Sequence, residues 1–179
     1  MRINEEDKAM KMTSAYANKM LKQLNEEKEF WVNKENSSCT YTAAVGEEPV
    51  IPEYDYVQVA DTIDELDRKI CTIKHAINLA NVTNLLQVGE IQLTVDMILV
   101  KMAQLNSRKN TLDFMRKQQP KTRKELPGYG NRSASPEYQY INYDLELIKK
   151  EYEAISMEIM NLQLALDKYN QTVEFEVEL

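Results

Sequence analysis

The chain has 179 residues, of which 43% are hydrophobic, and its formal charge at pH 7 is −7. This length and composition suffice for one folded domain with a hydrophobic core, and they exclude bulk disorder. The negative charge argues against generic binding to nucleic acid or to an anionic membrane surface.

Cysteine usage and hydropathy point to the cytoplasm. The two cysteines, Cys39 and Cys71, do not make a disulfide framework. The first residues contain no apolar segment of the kind that a signal peptide needs, and no stretch of the chain has the length and hydrophobicity of a membrane-spanning helix. We therefore expect a cytoplasmic protein with no membrane partner.

The first third of the chain predicts one long helix and a linker. Residues 5–34 contain no glycine or proline and carry apolar side chains near helical spacing, which indicates a helix. The first linker covers about residues 36–56, where Thr40–Val45 has the composition of a short strand and two prolines follow.

The second helix is predicted over about residues 57–81, because its apolar residues recur in alternating steps of three and four. These residues are Val59, Ile63, Leu66, Ile70, Ile73, Ile77 and Ala80. The following segment has β-favouring residues on both sides of Gly89, which indicates a small hairpin or an irregular turn.

A third helix is predicted over about residues 94–118, where Pro120 ends it. The second linker covers about residues 119–142, and its last part, residues 137–143, alternates like an edge strand. A fourth helix follows over about residues 144–170, and the tail from Thr172 to Leu179 alternates apolar residues with glutamates, as a strand with one apolar face does.

The fourth helix carries the most regular pattern in the chain. Its apolar residues alternate in steps of three and four, like the a and d positions of a heptad repeat, which predicts a partner helix along its length. They are Leu145, Ile148, Tyr152, Ile155, Ile159, Leu162, Leu166 and Tyr169. The matching pattern on the second helix makes that helix the expected partner. The predicted fold is therefore mainly α, a single domain over residues 1–179: an antiparallel bundle of about four long helices with coiled-coil-like seams and a few short accessory strands.

No catalytic, cofactor or metal site is recognisable. The single histidine, His75, excludes the paired Glu-x-x-His ligands of bundle metal sites. Cys71 and His75 lie four residues apart, but two ligands do not make a zinc site, so surface positions are the favoured interpretation. We expect no enzyme activity, no cofactor and no small-molecule substrate.

Two groups of residues are candidates for interaction. The only basic cluster comprises Arg116, Lys117, Lys121, Arg123 and Lys124; it suits phosphates or an acidic partner, although a solvated helix end explains it more simply. Seven of the ten tyrosines fall outside the predicted helices, and tyrosine in loops suits both interfaces and local packing. The tyrosines selected as candidates are Tyr54, Tyr56, Tyr138 and Tyr140.

The fourth helix has a second apolar line beside its seam, formed by Leu147, Met157, Met160 and Leu164. The apolar face of the third helix is also broad, since Leu99 adjoins Ile98. Exposed apolar lines mark interfaces, and the commonest closed symmetric assembly is a two-fold dimer. We therefore predict a homodimer built on the third and fourth helices.

Two short motifs resemble a bacterial helical family often labelled septicolysin. They are the Asn78-x-x-Asn81-x-Thr83 run before a turn and a helix, and Asn170-Gln171-Thr172-Val173-Glu174 where that family tends to have Asn-Trp-Thr-Thr-Glu. The resemblance covers about residues 12–179. It implies an all-helical fold and no established activity, and no functional residue is carried over from it.

The sequence thus predicts a non-enzymatic interaction or scaffold protein that binds another protein, with its own copy as the first choice. The alternative is a nucleic-acid-associated accessory protein that uses residues 116–124.

Overall fold

The computed structural model describes residues 9–124 and 136–179 and has a mainly α fold with short antiparallel strands, as predicted. The helices are α1 (Ser14–Ser38), α2 (Tyr56–Thr83), α3 (Val95–Arg116) and α4 (Leu145–Thr172). The strands are β1 (Ala9–Thr13), β2 (Leu85–Val88), β3 (Ile91–Thr94), β4 (Lys121–Arg123), β5 (Tyr138–Tyr140) and β6 (Glu174–Glu178).

Helices α2, α3 and α4 begin and end close to the predicted bounds, and side chains cap the first turns of α2 and α4. The Asp55 carboxylate accepts hydrogen bonds from the first amides of α2, and the Asp144 carboxylate does the same for α4. The helix α3 begins after Thr94, and no side-chain hydrogen bond from that residue caps its first turn. Of the two alternatives for the segment around Gly89, the structure has the hairpin, with β2 paired with β3, and Gly89 adopts φ +59°, which favours glycine.

The start of the first helix was predicted wrongly. Residues 9–13 form strand β1, and α1 begins only at Ser14, where the Thr13 hydroxyl accepts a hydrogen bond from the Tyr16 amide. The predicted strand at Thr40–Val45 is also absent, since that segment is irregular. Residues 5–8 of the predicted helix and residues 125–135 of the predicted second linker lie outside the described residues.

Strand β1 is the partner that the predicted C-terminal strand requires. It pairs antiparallel with β6, and Met12 faces Phe175 in the register. The side chains of Met12 and Val177 are buried and that of Phe175 is half-buried, whereas Lys11 and Glu176, which alternate with them, are exposed. Alternation along both strands therefore places one face of this small sheet in the core.

The chain divides into two compact units. The first comprises residues 1–86 and 166–179, and the second comprises residues 87–165. The helix α4 contributes residues 145–165 to the second unit and its end to the first.

In the first unit, α2 packs antiparallel against α1 and also contacts β6. Ile70 and Ile73 of α2 form one buried cluster with Leu21 of α1 and Val177 of β6. An ion pair between Lys28 and Asp67, with nitrogen and oxygen 2.6 Å apart, joins the two helices further along. The apolar line of α2 is buried or half-buried throughout, as predicted, but α1 is its partner, so the predicted pairing of the second and fourth helices over most of their length is wrong.

In the second unit, α3 and α4 run antiparallel. Lys101 forms an ion pair with Glu158, and Arg108 forms one with Glu151, so that the pairs repeat after seven residues on each helix. Both helices also carry buried apolar side chains, namely Ile98, Leu112, Ile148 and Leu162. The seam of α4 thus faces α3 in this unit, since its Tyr152 ring also contacts cations of α3.

Candidate protein-interaction site

The structure brings the second half of the basic segment, residues 121–124, and two of the candidate tyrosines together in one β-hairpin of the second unit. Strand β4 pairs antiparallel with β5, so that Lys121 lies opposite Tyr140 and Arg123 lies opposite Tyr138. Backbone bonds extend the pairing at both ends. The amide of residue 124 donates to the carbonyl of residue 137 at 2.9 Å, and the amide of residue 141 donates to the carbonyl of residue 120 at 3.3 Å.

Within this hairpin, Lys121 contacts aromatic rings instead of projecting freely into solvent. Its ammonium nitrogen lies 4.0 Å from the ring centre of Tyr138 and 5.5 Å from that of Tyr140. Both rings remain accessible, with 42% and 62% of each residue exposed. A cation over the face of an aromatic ring is attracted by its quadrupole, which steadies all three side chains.

The two cations at the end of α3 share one carboxylate. The Asp113 side chain binds Lys117 and also accepts a 2.8 Å hydrogen bond from Arg116. These two bonds, with that from Lys117 the larger cause, lower the pKa of Asp113, and the bond from Asp113 raises the pKa of Arg116. The Arg116 guanidinium also lies 4.1 Å from the ring centre of Tyr152.

The same pattern holds at the far end of the hairpin, where Lys124 lies 3.5 Å from a carboxylate oxygen of Glu137. Four of the five basic residues therefore have a carboxylate or an aromatic partner: Arg116, Lys117, Lys121 and Lys124. A phosphate would have to compete with these partners, although only Arg116 and Lys117 lie at a helix end and Lys121 and Arg123 belong to a strand.

A cleft of about 290 Å³ separates the hairpin from the end of α3. The Tyr143 hydroxyl donates a 2.7 Å hydrogen bond to the Met115 carbonyl, which holds the segment after β5 against α3. The cleft is lined by amide and aromatic side chains, including Gln118, Gln139, Phe114, Tyr140 and Tyr143. Sequence reasoning missed Phe114, which is 65% exposed on α3.

The other two candidate tyrosines belong to the first unit. The Tyr54 hydroxyl donates a 3.3 Å hydrogen bond to the Glu35 carboxylate, and burial together with the nearby Glu35 charge raises the pKa of Tyr54. Tyr56 is the first residue of α2 and is 64% exposed. Tyr54 therefore anchors its linker locally, and only Tyr56 of the two offers most of its surface.

The second apolar line of α4 is exposed. Its residues Leu147, Met157, Met160 and Leu164 are 53%, 55%, 49% and 60% exposed, respectively. On α3, Leu99 is 49% exposed, and Met97 and Val100 are 52% and 59% exposed, whereas Ile98 is buried. Leu99 on α3 and Met157 on α4 lie near the same level along the two helices, because an ion pair joins the nearby residues Lys101 and Glu158.

The residues that the structure describes offer neither a metal site nor a membrane span. Cys71 and His75 are both exposed on α2. Within residues 9–124 and 136–179, no three histidine, cysteine or carboxylate side chains cluster closely enough to hold a metal ion. In the same ranges, no helix combines the length and hydrophobicity that crossing a membrane requires.

No protein-family model matches the sequence, and a search of curated proteins finds no match. Among solved structures, the chain is similar to a functionally unknown conserved protein from Corynebacterium diphtheriae. The TM-score is 0.59 at 16% sequence identity, and the match covers 93% of this chain and 99% of the other. At this identity the similarity shows a shared fold.

Proposed function

We propose that the chain is a non-enzymatic interaction protein that binds a second copy of itself through the outer face of α3 and α4 in the second unit. The observation that supports this most is the exposure of Met157, Met160 and Leu164, each close to or above one half. Large apolar side chains grouped on one face cost free energy in water and mark interaction surfaces.

The position of these side chains on α4 explains why packing of α4 against α3 cannot bury them. Met157 follows the seam residue Ile155 by two positions, and Leu164 follows Leu162 in the same way. Two positions correspond to about 200° around a helix, so these side chains point away from α3. A further chain is therefore needed to cover them.

A second copy is the partner with the simplest geometry. A two-fold axis brings the same line of each copy together, so that every residue of the line contributes one buried side chain from each copy. Methionine suits such a surface, because its flexible thioether adapts to irregular neighbours. Full burial of one such side chain contributes about 1.5–3 kcal/mol relative to full exposure, and a half-exposed one contributes about half of that.

The alternative, a nucleic-acid-associated protein that uses residues 116–124, has less support. Most of its cations already contact carboxylates or aromatic rings, and the chain as a whole carries a formal charge of −7. The resemblance to the septicolysin-labelled family remains a proposal, and it implies no activity for this chain.

Light scattering across a micromolar concentration series tests the proposal. We expect a mass near twice the 20.8 kDa of one chain. Met160→Glu and Leu164→Glu should shift the protein to the monomer, because each places two carboxylates in an apolar interface. Gln23→Glu is the matched control, since it adds the same charge at an exposed position of α1 in the first unit, outside the proposed surface, and should leave the mass unchanged.

A wild-type mass of one chain at every concentration would overturn the proposal. A dimer that both α4 substitutions leave intact would overturn the assignment of the surface. Circular dichroism shows whether each variant retains the helical content of the wild type.

A further inference from the structure

The first unit contains a groove of about 420 Å³ between the second half of α2 and strand β6. Its apolar floor includes Ala76, Leu79 and Phe175. Its rim is polar and includes His75 and Glu178. None of these residues belongs to the surface proposed for self-association.

The groove follows the unpaired edge of β6. Four consecutive residues of β6, numbers 175–178, line it, and no residue of β1 does. Strand β1 pairs with one edge of β6, and the described strands form only two-stranded sheets. The opposite edge of β6, which faces the groove, is therefore not covered by any described strand. Successive backbone groups of a strand point alternately to its two sides, so this edge carries amide donors and carbonyl acceptors that an extended chain can pair with.

The electrostatics of the rim favour a basic occupant. Glu176 and Glu178 both line the groove, and the negative end of the α2 dipole lies at the same place, since Thr83 ends that helix and also lines it. One cation is already near: Lys11 lies 3.8 Å from Glu176, but both side chains are about two-thirds exposed (67% and 66%), so the pair is loose.

We propose that this groove binds an extended peptide segment of another protein, in which basic residues alternate with apolar ones. The segment adds to the free edge of β6, as in other cases where a peptide lies between a strand and a helix. Its apolar side chains contact the floor formed by Leu79 and Phe175, and its basic side chains face Glu176 and Glu178.

A second copy of β6 fits this edge poorly. In strand addition between two copies, the row formed by Glu174, Glu176 and Glu178 would meet an identical acidic row. Like charges opposite each other across strands are destabilising, whereas lysines in the same positions form favourable pairs. This difference selects a basic peptide over self-pairing.

The probe is the blocked hexapeptide Lys-Phe-Lys-Val-Lys-Leu, which keeps the alternation of β6 and inverts its charge. Added to the full-length protein at up to about 1 mM, it should shift the amide NMR signals of β6 and of residues 72–84. Two peptides serve as controls. One has glutamate at each lysine position, and the other has proline at its Val position, which removes one amide donor and fixes its backbone angle. Both should bind at least about tenfold more weakly.

Matched substitutions in the protein test the position of the groove. Glu178→Lys should weaken the lysine peptide about three- to tenfold. Glu174→Lys should have a smaller effect, because Glu174 belongs to the same acidic row but does not line the groove.

The proposal is overturned if the lysine peptide leaves the β6 and α2 signals unchanged, if the glutamate or proline peptide binds equally well, or if Glu174→Lys and Glu178→Lys have equal effects. If a variant fails to fold, the three peptides on the wild-type protein still decide the question. The result is independent of self-association, which light scattering measures separately.

Discussion

Ile73 offers a direct test of how the first unit is held together. Its side chain is fully buried, with 0% exposed, in the cluster that joins α1, β1, α2 and β6. Isoleucine-to-alanine changes in protein cores cost about 2–5 kcal/mol, depending on how far the surroundings collapse into the cavity. Because four elements meet around Ile73, little collapse is available, and we expect Ile73→Ala to lower the free energy of unfolding by about 3–4 kcal/mol. For a chain of this length that corresponds to roughly 6–16 °C in Tm.

Urea unfolding should be followed by two signals. The only tryptophan, Trp31, lies on α1 and reports on the first unit, whereas circular dichroism reports on all helices. Val82→Ala is the control on the same helix as Ile73, since Val82 is 52% exposed and its loss should cost less than about 0.5 kcal/mol. A loss below about 1 kcal/mol for Ile73→Ala, with Trp31 as the probe, would refute the packing of α2 against α1 and β6.

Two further predictions concern hydrogen-bonded side chains. The pKa of Glu65 is lowered to about 2 by hydrogen bonds from Arg68 and then Lys69. Because the folded pKa lies below the ordinary value of 4.5, the stability that Glu65 adds is present above pH 4.5 and is lost as the pH falls towards 2. The stability difference between the wild type and Glu65→Gln should therefore shrink as the pH falls from 4.5 towards 2. A carboxyl NMR titration of Glu65 with its midpoint near 4.5 would contradict this prediction. Tyr143→Phe removes the hydroxyl that donates to a carbonyl of α3 and should cost about 0.5–1.5 kcal/mol in urea unfolding. Tyr41→Phe, at a residue 53% exposed, is its control, and equal effects of the two changes would show that the Tyr143 bond adds nothing.

The candidate site was only partly predictable from the sequence. Side-chain types selected Lys121, Tyr138 and Tyr140, but only the pairing of β4 with β5 brings the lysine against the two rings, since the strands are separated by a long intervening segment. Phe114 and Tyr143 were not selected, because their sequence neighbours give no sign of a cleft. The exposed apolar line of α4 was predictable from its offset to the seam, because helical geometry is local.

The sequence by itself determined the four helices and their apolar faces, because periodicity and helix-end signals act over a few residues, and it narrowed the segment around Gly89 to a hairpin or an irregular turn. The tertiary structure decided which faces meet. Residues 9–13 carry no local strand signal strong enough to compete with the helical pattern that follows, and they become β1 only because β6 offers an edge to pair with. The seams of α2 and α4 have equally regular sequence patterns, yet α2 packs on α1. A heptad pattern shows that a helix needs a partner but does not specify which helix supplies it.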